Sequence, residues 1–278
     1  MPDLRPHIAT LRSLVNQPER WDFSGARELF CGVDIGTATV VAVVVDETGR
    51  PRGARLQPAE VVKSGLVVDY VGALEIVRGL VGELREASAL PIEKGATSFP
   101  PDTETGNINT TRYILEGAGL EVLKVLDEPS AANVALGIVN GAICDVGGGT
   151  TGVAVIQDGR VVYSGDEATG GVHLSLVLAG GYRISLEEAE ALKADKSKNA
   201  EILPVVRPVL DKIASIVARH LAGHAIDEVW MVGGTCELEG LCQVVGANLN
   251  LPTQRTEYSQ IVTPLGIALS CLNGQGGQ

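Results

Sequence analysis

Ala142-Ile143-Cys144-Asp145-Val146-Gly147-Gly148-Gly149-Thr150-Thr151-Gly152-Val153-Ala154-Val155 is an apolar run that ends on an acid, passes through glycines and threonines, and then resumes. Asp158-Gly159 follows as a tight hairpin turn. The spacing predicts strand, glycine loop, strand, turn, strand. Glycines without a Cβ let backbone N–H groups crowd round an anion, and the hydroxyls of Thr150 and Thr151 add donors. Asp145, at the strand end, is placed to hold a magnesium ion through that ion's waters. Such a loop suits the phosphates of a nucleotide.

Two other readings compete with this one. Gly147-x-Gly149-x-x-Gly152 also fits the dinucleotide-binding pattern, but there the glycines must open a helix. Here they open a strand and hairpin, so the context fails. A glycine-rich hairpin with no ligand is the plainer alternative. Against it stands a second copy: Cys31-Gly32-Val33-Asp34-Ile35-Gly36-Thr37-Ala38-Thr39, then the apolar run Val40 to Val45 and a turn at Asp46, Thr48 and Gly49. Asp145 follows Asp34 by 111 residues, and acid, glycine, threonine, strand and turn recur in the same order. A third glycine turn ends the run Val229-Trp230-Met231-Val232-Gly233-Gly234-Thr235.

Together these pieces resemble the actin/Hsp70/sugar-kinase superfamily of two-lobed ATPases. Asp34-Ile35-Gly36-Thr37 resembles its first phosphate motif, Asp145 to Thr150 its second, and Val232 to Thr235 its adenosine motif. Asp127-Glu128-Pro129-Ser130-Ala131-Ala132 and Thr263-Pro264-Leu265-Gly266-Ile267-Ala268 resemble its two connecting helices. Within the superfamily, Ala96 to Pro101 and Asp166 to Gly171 look most like the EutJ family of ethanolamine-utilisation proteins, described as chaperones encoded with a bacterial microcompartment. The resemblance implies a duplicated ribonuclease-H-like α/β fold with small or absent tip subdomains, binding ATP and Mg2+ between the lobes. Lobe I is expected over residues 28–140 plus 260–273 and lobe II over 141–259, with an N-terminal helix and loop at 1–27 and a disordered tail at 274–278. Asp34 and Asp145 are the expected metal holders and, with Glu128 orienting the attacking water, the expected catalytic set. Gly36, Thr37, Ala38, Gly147, Gly148, Gly149, Thr150, Thr151, Gly170, Gly171, Gly233 and Gly234 are expected to line the nucleotide. Glu190 and Lys193 resemble the pair that contacts adenosine in Hsp70 relatives, and equally fit an ordinary solvated helix pair.

The resemblance has gaps. The segments Pro51 to Gly65 and Lys193 to Pro204 are short where relatives carry insertions, so a shallow cleft is expected. The Hsp70 catalytic lysine has no clear match beyond Lys63, and no substrate-binding domain of the Hsp70 kind is expected. The expected role is a chaperone or reactivating factor with a client among ethanolamine-degrading enzymes or microcompartment components. A nucleotide-responsive scaffold with negligible hydrolysis is the alternative, and a small-molecule kinase is a third class with no residue singled out for it.

The rest of the chain bounds these readings. At 278 residues it suits two lobes, and with 45% hydrophobic but only 4% aromatic residues its core must be Val, Leu, Ile and Ala. A formal net charge of −12 argues against nucleic acid or anionic membrane as partners and fits a cytoplasmic protein, with microcompartment association implied by the resemblance. No apolar run reaches the ~18 residues of a membrane span. Cys31, Cys144, Cys236, Cys242 and Cys271 lack zinc-site spacing and read as buried thiols. His220 and His224 are four apart, a spacing that can bind metal, without a nearby third ligand. Helical spacing is expected over 7–16, 110–116 and from Val205 to Leu221, a strand over 55–62, a polar loop over 195–199, and a capping box at Ser185 and Glu188.

Overall fold

The computed structural model describes residues 5–63 and 65–274; of the tail expected at 274–278, Gly274 ends a 3₁₀ turn and 275–278 lie outside the described residues. The chain forms two compact units, Met1–Gly137 with Ile261–Gln278, and Ile138–Gln260.

The first unit opens with helix α1 (Arg5–Arg12) and strands β1 (Leu29–Ile35), β2 (Thr39–Asp46) and β3 (Pro51–Pro58). A small hairpin, β4 (Val62–Lys63) and β5 (Leu66–Val67), leads to α2 (Tyr70–Ala87), β6 (Lys94–Phe99), α3 (Thr105–Gly117), β7 (Glu121–Asp127) and α4 (Glu128–Leu136). The second unit holds β8 (Gly141–Val146), β9 (Thr151–Gln157), β10 (Arg160–Glu167), α5 (Gly171–Tyr182), α6 (Leu186–Ala194), α7 (Asn199–Leu221), β11 (Val229–Val232), α8 (Leu241–Leu249) and β12 (Thr253–Arg255). The last helix, α9 (Val262–Ser270), returns to the first unit.

Both sheets have the same plan. The first runs β3-β2-β1-β6-β7 and the second β10-β9-β8-β11-β12, with an antiparallel meander joined to parallel strands. Register repeats too: Asp34 lies opposite Val41 and Ile35 opposite Val40, as Asp145 lies opposite Gly152 and Val146 opposite Thr151. The 111-residue offset read from the letters is therefore a repeat of backbone pairing.

Alternation along β1 builds the layers of the first unit. Leu29, Cys31, Val33 and Ile35 join a cluster with Val77, Leu80, Val81 and Leu84 of α2 and Ile114 and Leu115 of α3. Gly32 lets α9 lie against the other face, where a Cβ would come 2.3 Å from the Ala268 nitrogen. Helices α4 and α9 cross so closely that a Cβ on Gly266 would sit 1.7 Å from the Ala131 carbonyl oxygen. In the second unit α7 supplies Ile202, Val206, Leu210, Ile213 and Val217 to a core shared with β8, β9 and β11. Aliphatic packing carries this core, each fully buried side chain contributing about 1.5–3 kcal/mol.

Some elements depart from the expected spans. The 7–16 helix is α1, shorter, after which Val15 bridges to Ala54 and Asn16 closes the edge of β3. Asn16 N–H donates to Ala54 O at 3.0 Å, its amide donates to Leu56 O at 3.0 Å, and its carbonyl accepts from Leu56 N–H at 2.9 Å. The strand expected at 55–62 is β3, begun four residues earlier and ended at Pro58. The expected loop at 195–199 is a single 3₁₀ turn, and α7 begins at Asn199 and runs through Pro204 and Pro208. Both prolines lie on the exposed side of the helix, where carbonyls deprived of a partner N–H can turn to water. Helix α3 starts five residues before the expected 110.

Candidate functional site

In the first unit the carboxyl ends of the parallel strands β1, β6 and β7 carry the polar residues, the usual ligand end of an open α/β sheet. Asp34 sits one residue before the end of β1, and the Ser98 hydroxyl on β6 donates to its Oδ1 at 3.4 Å. Gly36 N–H donates to Thr39 O at 2.9 Å, clasping a loop of Thr37 and Ala38. Among the described residues, no partner accepts from the N–H groups of Thr37 and Ala38, which leaves two adjacent donors on the loop. At the end of β7, Asp127 caps α4 by accepting from Ser130 N–H at 2.9 Å, which fixes Glu128 as the first helical residue, followed by Pro129.

The second unit repeats the loop. Asp145 lies one residue before the end of β8 and is 7% exposed. Gly147 N–H donates to Thr150 O at 3.0 Å, and among the described residues the N–H groups of Gly148 and Gly149 have no acceptor. The two predicted phosphate loops thus share one clasp and leave free N–H pairs at equivalent positions.

Three glycine segments interlock here. Gly171 N–H donates to Gly147 O at 2.9 Å and Val172 N–H to Gly148 O at 2.8 Å, seating the first turn of α5 on the loop. Thr235 hydroxyl also donates to Gly147 O, at 2.7 Å, from the turn after β11. No Cβ fits between them. On Gly170 it would lie 2.6 Å from Gly147 O, on Gly171 2.5 Å from Thr235 Oγ1, and on Gly233 2.4 Å from Asp145 Oδ1. Gly233 also has φ of +91°, where a side chain is strained. Gly234 beside it is less crowded, with nothing nearer than Gln260 at 3.7 Å. Thr150 is buried at the loop, whereas the Thr151 hydroxyl donates to Thr169 O at 2.6 Å and so braces the 168–171 turn.

Glu190 and Lys193 lie at this same place. Lys193 ammonium donates to Gly171 O at 3.1 Å, to Ser175 Oγ at 2.7 Å and to Glu190 Oε2 at 2.7 Å, while Ser175 donates to Glu190 Oε1 at 2.5 Å. They are not a solvated pair only: they tie α6 to the first turn of α5. Ser175 and Ser98 were not singled out by the sequence reading, since each is identified by a partner far along the chain.

The remaining candidates resolve into structure. Burial raises the thiols of Cys31 and Cys271 to about 12 and pushes those of Cys144 and Cys236 well above the usual thiol range, so none of these four is a nucleophile at neutral pH. His220 Nδ1 pairs with the Tyr163 hydroxyl at 2.6 Å and its Nε2 lies 3.4 Å from Glu167 Oε1, while His224 packs on the Tyr163 ring. Among the described residues no group of three or more His, Cys, Asp or Glu could hold a metal, and no helix is long and apolar enough to cross a membrane.

The chain is similar in sequence and fold to known proteins. A family profile described as type IV pilus assembly protein PilM matches residues 115–263. The ethanolamine utilization protein EutJ of Escherichia coli K12 is 44% identical over 269 residues, 96% of this chain and 94% of that protein. The crystal structure of EutJ from Carboxydothermus hydrogenoformans aligns with TM-score 0.89 and 43% identity over 96% of this chain and 98% of that one. MreB5 of Spiroplasma citri bound to ADP aligns with TM-score 0.73 over 90% of this chain and 99% of that one, but at 16% identity, a likeness of fold. Identity at this level along nearly the whole of both chains means that the protein belongs to the EutJ family of ethanolamine utilization proteins, built on the actin/Hsp70-like fold.

Proposed function

We propose that this chain binds ATP with magnesium through loops 36–39 and 147–150, and serves ethanolamine utilization as a chaperone or as a reactivating or assembly factor. The observation that carries the reading is the repeated clasp, which leaves two adjacent N–H donors free on each loop beneath a strand-end aspartate. Paired N–H groups of this kind suit phosphate oxygens. The ADP-bound MreB5 neighbour, with the same fold, adds support.

The residues also fit a magnesium ion. With no cluster of three acidic or imidazole ligands among the described residues, an all-protein cage is unsuited, and Mg2+ commonly takes one or two carboxylates, waters and phosphates. Asp34 and Asp145 would hold it through water, and when bound it offsets the charge on the phosphates. Gly148, Gly149, Thr37 and Ala38 would donate to phosphate oxygens. Glu128, fixed at the start of α4, would accept a proton from the attacking water. Glu190, Lys193 and the turn at Gly233 and Gly234 would border the adenosine.

Thermal melting with and without Mg-ATP tests the binding. At a ligand concentration of 100 times Kd the gain is about 2.7 kcal/mol, and that corresponds to a rise of roughly 5–10 °C for a protein of this size. Asp145→Ala should melt as the wild type does without ligand and show no rise; an equal rise would refute the assignment. Phosphate release in the presence of ethanolamine-degrading enzymes tests the role. Turnover stimulated by an enzyme supports the chaperone reading, and binding without any turnover favours the scaffold.

A further inference from the structure

We infer that His173 is a positioning residue for the anion site, holding the Gly170–Gly171 turn in place with a hydrogen-bond acceptor that carries no negative charge. The inference rests on the nucleotide reading above. Gly170 N–H donates to His173 Nδ1 at 3.2 Å, and His173 N–H donates back to Gly170 O at 3.0 Å. As in a capping box, the third helical residue accepts from the backbone N–H that precedes the helix, and since Gly170 has no side chain its carbonyl oxygen takes the returning bond. The helix is α5, twelve residues long, whose first N–H groups are spent on Gly147 O and Gly148 O. An acceptor at Nδ1 requires the ring proton to be on Nε2.

The usual residue at this position is Glu or Gln. The same chain follows that usage in α6, where Glu188 accepts from Ser185 N–H at 2.8 Å and Ser185 accepts from Glu188 N–H at 3.1 Å, on the surface. In α5 the cap adjoins the loop whose N–H groups would donate to the phosphates on the nucleotide reading, and a carboxylate there would repel them. An imidazole makes the same bond while neutral. Without the bond, Gly170 would have to be reordered each time ligand binds, and apparent affinity falls with the fraction of molecules in the competent form. At the usual worth of a helix cap, the loss should be about fivefold.

Three variants of the full-length chain separate the parts of this inference, with Mg-ATP affinity read by calorimetry. His173→Gln, a neutral acceptor, should keep affinity within about threefold of wild type. His173→Leu, without an acceptor, should lose about fivefold. His173→Glu, a charged acceptor, should keep the unliganded melting temperature yet weaken Mg-ATP binding by about tenfold, with the deficit shrinking as salt is raised. Nitrogen NMR of the unliganded protein should find the His173 proton on Nε2. If wild type binds Mg-ATP and the glutamate variant binds equally well at low salt, the inference is overturned and the nucleotide reading stands. If wild type shows no binding, the nucleotide reading falls and the inference with it.

Discussion

Gly170→Ala is the sharpest test of the interlocked glycines. The added Cβ would meet Gly147 O at 2.6 Å, Gly148 O at 2.8 Å and Thr150 N at 2.8 Å. All three are backbone atoms, so no side chain can swing aside. Reaching an ordinary contact distance of about 3.5 Å requires the turn to retreat by roughly 1 Å. That retreat stretches the bonds from Gly171 N–H to Gly147 O and from Val172 N–H to Gly148 O, now 2.9 and 2.8 Å. Two weakened bonds at about 0.5–1.5 kcal/mol each, with overpacking of about 1–3 kcal/mol, give a loss of about 2–6 kcal/mol. The melting temperature should fall by roughly 4–24 °C, and Mg-ATP should no longer raise it. Gly180→Ala in the same helix is the control, since nothing lies within 4 Å of its Cβ. Helix propensity alone should make that variant more stable by about 1 kcal/mol. Differential scanning calorimetry of the two variants decides it: if Gly170→Ala melts within about 2 °C of wild type and still responds to Mg-ATP, the three segments are not locked as described.

Other outcomes follow from the same geometry. Gly266→Ala should destabilise the first unit by more than about 3 kcal/mol, since its Cβ would lie 1.7 Å from Ala131 O between two packed helices; urea unfolding measures it. Glu128→Gln should leave Mg-ATP binding intact and slow single-turnover hydrolysis by about 10²–10⁴-fold; an unchanged rate would make Glu128 structural. Burial opposes ionisation of Asp46, but hydrogen bonds from Thr48, Arg50 and Arg52 outweigh it and hold the carboxyl below its ordinary 3.8. A folded pKa below the unfolded one stabilises above that unfolded value, so this contribution should persist at neutral pH and vanish as pH drops below about 4. Asp46→Asn should therefore flatten the acid limb of stability against pH.

The parts of the fold that were legible are those written locally. The repeated phosphate hairpin could be read because acid, glycine clasp and strand lie within a dozen residues and recur at a constant offset. The capping box of Ser185 and Glu188 was legible for the same reason. Residues whose roles depend on distant partners were not. Ser98 beside Asp34 is separated from it by 64 residues, and Ser175 gains its meaning from Lys193 on another helix. Asn16 read as the end of a helix, yet its amide serves β3, forty residues away. His173 has no motif, because a histidine replaces the expected Glu or Gln. The apolar spacing begins at Val205, whereas α7 begins at Asn199; the exposure of Pro204, which makes it tolerable inside the helix, is invisible in the letters.

The return of α9 to the first unit has a consequence for synthesis on the ribosome. Strand β1 and helix α4 are made early, but the face that Gly32 leaves bare, and the groove beside Ala131, wait for residues 262–270, which are buried throughout. The second unit is contiguous in sequence, so it can close as soon as β12 emerges, while its predecessor still lacks a wall. At about 5–20 residues per second, the interval between the end of α4 and the arrival of α9 is of order ten seconds. During that time an apolar sheet face stands open to other chains. Order of emergence thus makes the earlier-made half of the protein the later to mature, and slowing elongation between codons 137 and 261 should lower the soluble yield more than slowing it anywhere before β1.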